Sequence, residues 1–306
     1  MKVLASVLLL VAACGAVDSA NDDAAVAVDG GAPDAANPDG PSVPDAAAID
    51  AAIPDAGVPG SWSFPSLVAN FSTGTAVEPS LSANGLELFA VCPTANLGEI
   101  CVATRASTSA PFGAAEPIAI LNTANNELAP DITGDGLELF FERFPGIYVS
   151  KRPSLAAAWG SPSVALAGDT KARFPSISAD GLTMYVAVSN CDPACLSKTT
   201  RATRNSPWGA LEAVALPGGL VGYDTSDLSA DGLQLLLYGG STTQASILLL
   251  KRPSVSANWA TVESIPNISF NRNNTHASWG FLDKEIYMDS KAMTSGPSQI
   301  YVSVLQ

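Results

Sequence analysis

One phrase recurs along this chain and constrains its fold more than any other feature. It reads EPSLSANGLELFAV at 78–91, APDITGDGLELFFE at 129–142, FPSISADGLTMYVAV at 174–188 and TSDLSADGLQLLLY at 225–238. A fifth, degenerate copy is FLDKEIYM at 281–288, where Asp283 stands at the position held by Gly85, Gly136, Gly181 and Gly232. Between the phrases lies a second element: ICVATR, IYVSKR, LSKTTR and ILLLKR, each ending in Arg (105, 152, 201 and 252), with IYVSV at 300–304 as the fifth copy. A third begins at an aromatic residue: Trp62, Phe112, Trp159, Trp208 and Trp259. Each recurs at about 45 to 53 residues, the period of a propeller blade.

Each element reads as β structure. PSIS and its relatives form a short first strand, and Asp-Gly or Asn-Gly supplies the positive φ angles of a tight hairpin. LELFAV and LTMYVAV alternate as a second strand. IYVSK is a third. The stretch from the aromatic, often with a proline nearby, is the outermost, because proline is tolerated at sheet edges. Four strands per repeat describe a β-propeller blade. The folded part opens with a lone fourth strand at 61–71 and closes with a third strand. The N-terminal strand is therefore expected to complete the last blade and close the ring. The fold class is all-β: a single propeller of five four-stranded blades over 61–306. A sixth blade would need a hidden repeat, and none is visible.

The recurring Ser/Thr, spacer, Asp/Asn, Gly-Leu phrase, followed by a strand ending in Arg and a Trp-initiated strand, resembles the TolB-like, WD-like propeller repeat of bacterial envelope proteins. The resemblance covers residues 62–306. It implies a propeller in a cell-envelope setting, and it implies binding or scaffolding rather than a reaction. The degenerate fifth copy and the count of five, where relatives often have six, depart from the family pattern.

The N-terminus fits that setting. In MKVLASVLLLVAAC one Lys precedes an apolar run ending at Cys14. The run is far shorter than the ~20 residues of a membrane span. Val11-Ala12-Ala13-Cys14 resembles a lipobox, which implies a signal peptide over 1–13 and a lipid anchor on Cys14. A plain secretory signal cleaved after Ala16 or Ala20 is the alternative. Gly15 lacks the aspartate associated with inner-membrane retention, so the outer membrane is expected. Residues 14–60 then read as a tether. The segment 15–60 carries nine Asp, no Lys or Arg and no aromatic residue. Such a stretch cannot bury enough apolar surface to order itself.

The net charge of −14 argues against nucleic acid or an anionic membrane surface as a partner. Attachment to a membrane is expected through the lipid alone. Cysteines beyond Cys14 form two close pairs, Cys92 with Cys101 and Cys191 with Cys195, each between two strands of a repeat. They read as hairpin-closing disulfides in an oxidising compartment.

Chemistry is sparse. His276 is the only histidine, which rules out multi-histidine metal sites. No Gly-rich phosphate loop is present, and no cofactor is expected. Calcium held by channel oxygens stays open as a third possibility. Some five-bladed propellers are glycosidases whose carboxylates line the central cavity, which directs attention to the first strands. Five residues before the glycine position stand Ser80, Asp131, Ser176, Asp227 and Ser278; Glu78, Glu127 and Asp224 lie slightly earlier. Short acids there also bind backbone amides. The Arg series reads as an edge turn and the Trp series as inter-blade packing. The expected function is non-catalytic: a monomeric, lipid-anchored envelope propeller that binds a protein, peptide or glycan, or serves as a scaffold. The alternative is a glycoside hydrolase using Glu78, Glu127, Asp131, Asp224 and Asp227, with His276 at the channel.

Overall fold

A computed structural model describes residues 60–68, 76–93, 98–168, 171–188, 195–220, 223–241, 244–268, 272–292 and 297–306. The signal peptide, Cys14, the tether and Cys191 lie outside the described residues, as does the side chain of Cys195.

The described chain forms five four-stranded antiparallel sheets. After β1 (Ser66–Leu67), the first blade is β2 (Val77–Leu81), β3 (Glu87–Pro93), β4 (Gly98–Thr104) and β5 (Glu116–Pro117). The second is β6 (Glu127–Ile132), β7 (Glu138–Arg143), β8 (Gly146–Lys151) and β9 (Ser163–Leu166). The third is β10 (Ala172–Ile177), β11 (Thr183–Val188), β12 (Cys195–Thr200) and β13 (Glu212–Ala213). The fourth is β14 (Tyr223–Leu228), β15 (Gln234–Ser241), β16 (Gln244–Lys251) and β17 (Thr261–Ser264). The fifth contains β18 (Arg272–Trp279), β19 (Glu285–Ala292) and β20 (Gln299–Val304), and β1 is its outer strand. Ser66 pairs with Val302 and Leu67 with Tyr301, so the N-terminal strand closes the ring as expected. No described helix is long and apolar enough to cross a membrane.

The hairpin phrase works differently from the simple expectation. Only its glycine is left-handed, with φ of +70° to +73° in the four Gly copies. The preceding Asp or Asn acts through its side chain instead: Asn84 Oδ1 accepts the Leu86 amide at 3.0 Å, and Asp180 Oδ1 accepts that of Leu182 at 2.8 Å. In the fifth copy Asp283 adopts φ +55° itself, and its carboxylate faces the Ala230 amide of blade four at 3.4 Å.

The recurring Arg and aromatic form one device. Nε of Arg105, Arg152, Arg201 and Arg252 donates to the hairpin carbonyl of Gly85, Gly136, Gly181 and Gly232 at 2.5–2.7 Å. Each guanidinium lies 4.3–4.5 Å above Phe112, Trp159, Trp208 or Trp259. That aromatic then meets the second strand of the preceding blade, as in Phe89–Trp159, Phe140–Trp208 and Tyr185–Trp259. Two guanidiniums reach back in the same direction, Arg152 to Glu87 and Arg201 to Glu138. Five apolar clusters fill the five blade interfaces, so the core is a set of wedges between sheets. Cys92 and Cys101 form a disulfide across β3 and β4.

Candidate active site at the channel mouth

The first strand of every blade breaks register at the same place. Irregularities fall between Val77 and Ser80, Leu128 and Asp131, Arg173 and Ser176, Tyr223 and Thr225, and Thr275 and Ala277. At four of these bulges a residue with a side chain takes a left-handed backbone: Glu78 (φ +57°), Ala129 (+48°), Phe174 (+49°) and His276 (+41°). Bulges re-aim side chains, and strain of this kind concentrates at functional sites. Here it turns Glu78, Phe174 and His276 into one pocket with Asp131 and Asp227, contributed by all five inner strands. The pocket and its open mouth enclose about 350 Å³.

The carboxyls are held in a graded way. Asp131 accepts three hydrogen bonds: from Ser80 Oγ (3.0 Å) and Ile132 N (3.1 Å) on Oδ1, and from Ile177 N (2.5 Å) on Oδ2. Asp227 Oδ2 accepts the Trp279 amide at 2.6 Å, and Ser176 Oγ accepts the Leu228 amide at 3.1 Å. Ser80, Asp131, Ser176 and Asp227 thus lace blade one through to blade five. Glu78 Oε2 accepts the Ala129 amide at 2.6 Å, which leaves Oε1 turned toward His276 Nε2 at 3.8 Å. His276 Nδ1 lies 2.8 Å from Asp289 Oδ1, and Thr275 donates its hydroxyl to Asp289 Oδ2. Phe174 and Tyr238 flank the imidazole, with ring centroids 5.7 and 5.4 Å away.

Burial raises the pKa of all three pocket acids. It pushes Asp131 up to about 7 against the pull of its three donors. Burial, then the charge of Asp131, holds Asp227 well above the usual carboxylate range. Burial also raises Glu78, with His276 acting in the opposite sense. The sign for stability follows from linkage. Between its ordinary value and about 7, folded Asp131 keeps a proton that the unfolded chain has lost, so stability declines as pH rises through that window. The thermal midpoint should fall from pH 5 to pH 8, with on the order of 3 kcal/mol at stake. Asp131→Asn should flatten that slope in calorimetry; an unchanged slope would remove Asp131 as its source.

The other expected site residues are placed elsewhere. Glu127 is fully buried and ion-paired to Arg143 at 2.7 Å, with Thr123 as a further partner. Asp224 falls on β14, and its side chain lies outside the described residues. Asp289 was not singled out from the sequence, yet a signal exists. Six residues after the glycine position the copies read Val91, Glu142, Ala187, Tyr238 and Asp289. Charges interrupt an otherwise apolar strand there, beside the bulge on the facing strand. Among the described residues, no group of three or more His, Cys, Asp or Glu side chains is arranged to hold a metal ion.

Fold and site together define a five-bladed β-propeller with an acidic pocket at one mouth of its channel. No family model matches the sequence, and no curated protein matches it significantly. Solved structures do match. The catalytic domain of a GH62 α-L-arabinofuranosidase from Coprinopsis cinerea has a TM-score of 0.61 at 12% identity, over 81% of this chain and 98% of that one. An endo-arabinase from Bacteroides thetaiotaomicron has a TM-score of 0.54 at 13% identity, over 79% and 98%. A TolB protein from Agrobacterium tumefaciens has a TM-score of 0.47 at 14% identity, over 76% and 77%, a likeness too low to argue from. The TolB-like expectation therefore holds as far as the propeller, on the evidence of the sheets themselves. The expectation of a non-catalytic binding protein or scaffold is corrected. Fold relatives with TM-scores above 0.5 include glycoside hydrolases, so this fold does not by itself imply binding or scaffolding rather than a reaction. Repeat patterning reports blade packing and is blind to which end of the channel gathers acids, so it left the hydrolase as the alternative.

Proposed function

We propose that this protein is a glycoside hydrolase working at the channel mouth. The observation that carries the reading is the convergence of Glu78, Asp131 and Asp227, from three blades, on one pocket where burial raises the proton affinity of each. Glycoside hydrolysis requires one carboxylic acid that keeps its proton and one carboxylate that does not. With Oε2 occupied by the Ala129 amide, Glu78 carries its proton on Oε1 and delivers it to the leaving oxygen. Asp131, which accepts three hydrogen bonds, is assigned the carboxylate role once pH passes its raised value of about 7. It then takes the proton of the water whose oxygen bonds to the sugar carbon as the leaving oxygen departs with the proton from Glu78. Asp227 holds the second, retained proton. The α-L-arabinofuranosidase and the endo-arabinase among the fold relatives make arabinose-containing and related pentose glycans the first substrates to test. The decisive assay incubates the folded protein with aryl arabinofuranosides, aryl xylosides and arabinan. Release of sugar supports the reading, and silence across the panel overturns it.

The same proposal places the enzyme in the envelope, exported by residues 1–13 and anchored through Cys14 on the acidic tether. Cys14→Ser should move the protein from the membrane fraction to the soluble fraction, and retention in the membrane would refute the anchor.

A further inference from the structure

We infer that Asp289, His276 and Glu78 form a single proton-sharing array in which His276 is the positioning residue for Glu78. The inference rests on the hydrolase reading only for its catalytic consequence; the array itself is a statement of geometry. Asp289 is buried on β19 and carries three donors at once: the Glu78 amide (3.2 Å), the Thr275 hydroxyl and the His276 Nδ1 edge (2.8 Å). A carboxylate in that position accepts a hydrogen bond from Nδ1–H and commits the neutral imidazole to that tautomer, leaving Nε2 as the lone-pair side. Nε2 faces Glu78 Oε1 at 3.8 Å, inside ion-pair range and beyond a direct hydrogen bond. One proton can therefore reside either on Glu78 Oε1 or on His276 Nε2. Neither placement changes the total charge, because Glu78 loses what His276 gains.

Among the groups facing His276 are Glu78 from β2, Asp289 from β19, and the rings of Phe174 from β10 and Tyr238 from β15. Asp131 and Asp227 line the same pocket. Arg173, the nearest cation on β10, is engaged with Glu142 at 3.0 Å and stacked on Phe174 at 4.8 Å. Burial does most to favour the protonated form of Glu78, Asp289 and Glu142 add to it as like charges, and His276 and the Ala129 amide oppose it. Glu78 and His276 both occupy left-handed bulge positions, and both side chains line the same pocket.

The chain's single histidine makes the test direct, since its imidazole nitrogens give one unambiguous set of NMR signals. In the unaltered full chain at pH 8, the neutral ring should be the Nδ1–H tautomer; the Nε2–H tautomer would overturn the proposal without any variant. Glu78→Gln should lower the titration midpoint of His276 by about one unit, as loss of an anion within 4–6 Å implies. A midpoint unchanged within about 0.2 units in folded E78Q would also overturn it. His276→Asn, assayed on a cleaved glycoside, should displace the basic limb of the kcat/KM profile, where the acid Glu78 loses its proton, while KM changes little; an unmoved profile refutes the positioning role. Failure to cleave any glycoside, alongside the expected NMR behaviour, would sink the hydrolase reading and leave the array standing.

Discussion

Glu78→Gln is expected to lower glycoside hydrolysis by about 10²- to 10⁴-fold, the contribution of a positioned general acid. The amide keeps an oxygen to accept from the Ala129 N–H, so the tie between blades one and two survives. What it loses is the transferable proton on the pocket side. The loss should fall on kcat, with KM nearly unchanged, because the proton matters in the transition state and little in ground-state binding. Substrates with a good leaving group, such as dinitrophenyl glycosides, should recover much of the rate because they need no proton. Equal loss on both substrate types would mean that Glu78 is not the acid.

Arg201→Ala is expected to destabilise the ring by about 3 kcal/mol, the usual cost of removing one partner from a buried ion pair. Arg201 sits at 8% exposure with four engagements: the Gly181 carbonyl (2.7 Å), the Arg204 carbonyl (2.8 Å), Glu138 of the preceding blade and the face of Trp208 (4.5 Å). Glu138 retains Lys151 at 2.6 Å, which limits the cost. Glu138→Gln should therefore cost less than Arg201→Ala, and the double variant less than the sum. Denaturant midpoints of the four proteins close that cycle. Strict additivity would show that the pair does not act across the blade interface.

The two substitutions probe different layers, and the layers differ in legibility. The Arg and the aromatic above it recur seven residues apart in four blades, with the Gly beneath 16 or 20 residues earlier, because every blade solves the same packing problem. A residue type repeated four times exposes itself. The strand that closes the ring is legible for the same reason, as a spare fourth strand at one end and a missing one at the other. The Asp of Asp-Gly was read as a backbone choice and proved to be a side-chain cap. From sequence the two are indistinguishable, because both favour the same short polar residue.

The site was legible only in outline. Asp131 and Asp227 stand out where serine alternates with aspartate, and both line the pocket. Glu78 and Glu127 looked equivalent on the page, yet one faces the pocket and the other is buried against Arg143. The bulge decides between them: it adds a residue to each inner strand and reverses which side chain points inward, and no composition rule marks where the ladder slips. Asp289 escaped notice because it sits in a second strand that patterning treats as core.

The sequence by itself determined the five blades, their strand order and the ring closure, since these depend on local periodicity and turn chemistry repeated along the chain. Tertiary structure alone decided which carboxyls share a pocket, which carry protons, and that His276 stands between Glu78 and Asp289. Those properties arise from residues up to 211 positions apart, brought together by closing the ring. Their proton affinities are set by burial, which no single segment possesses on its own.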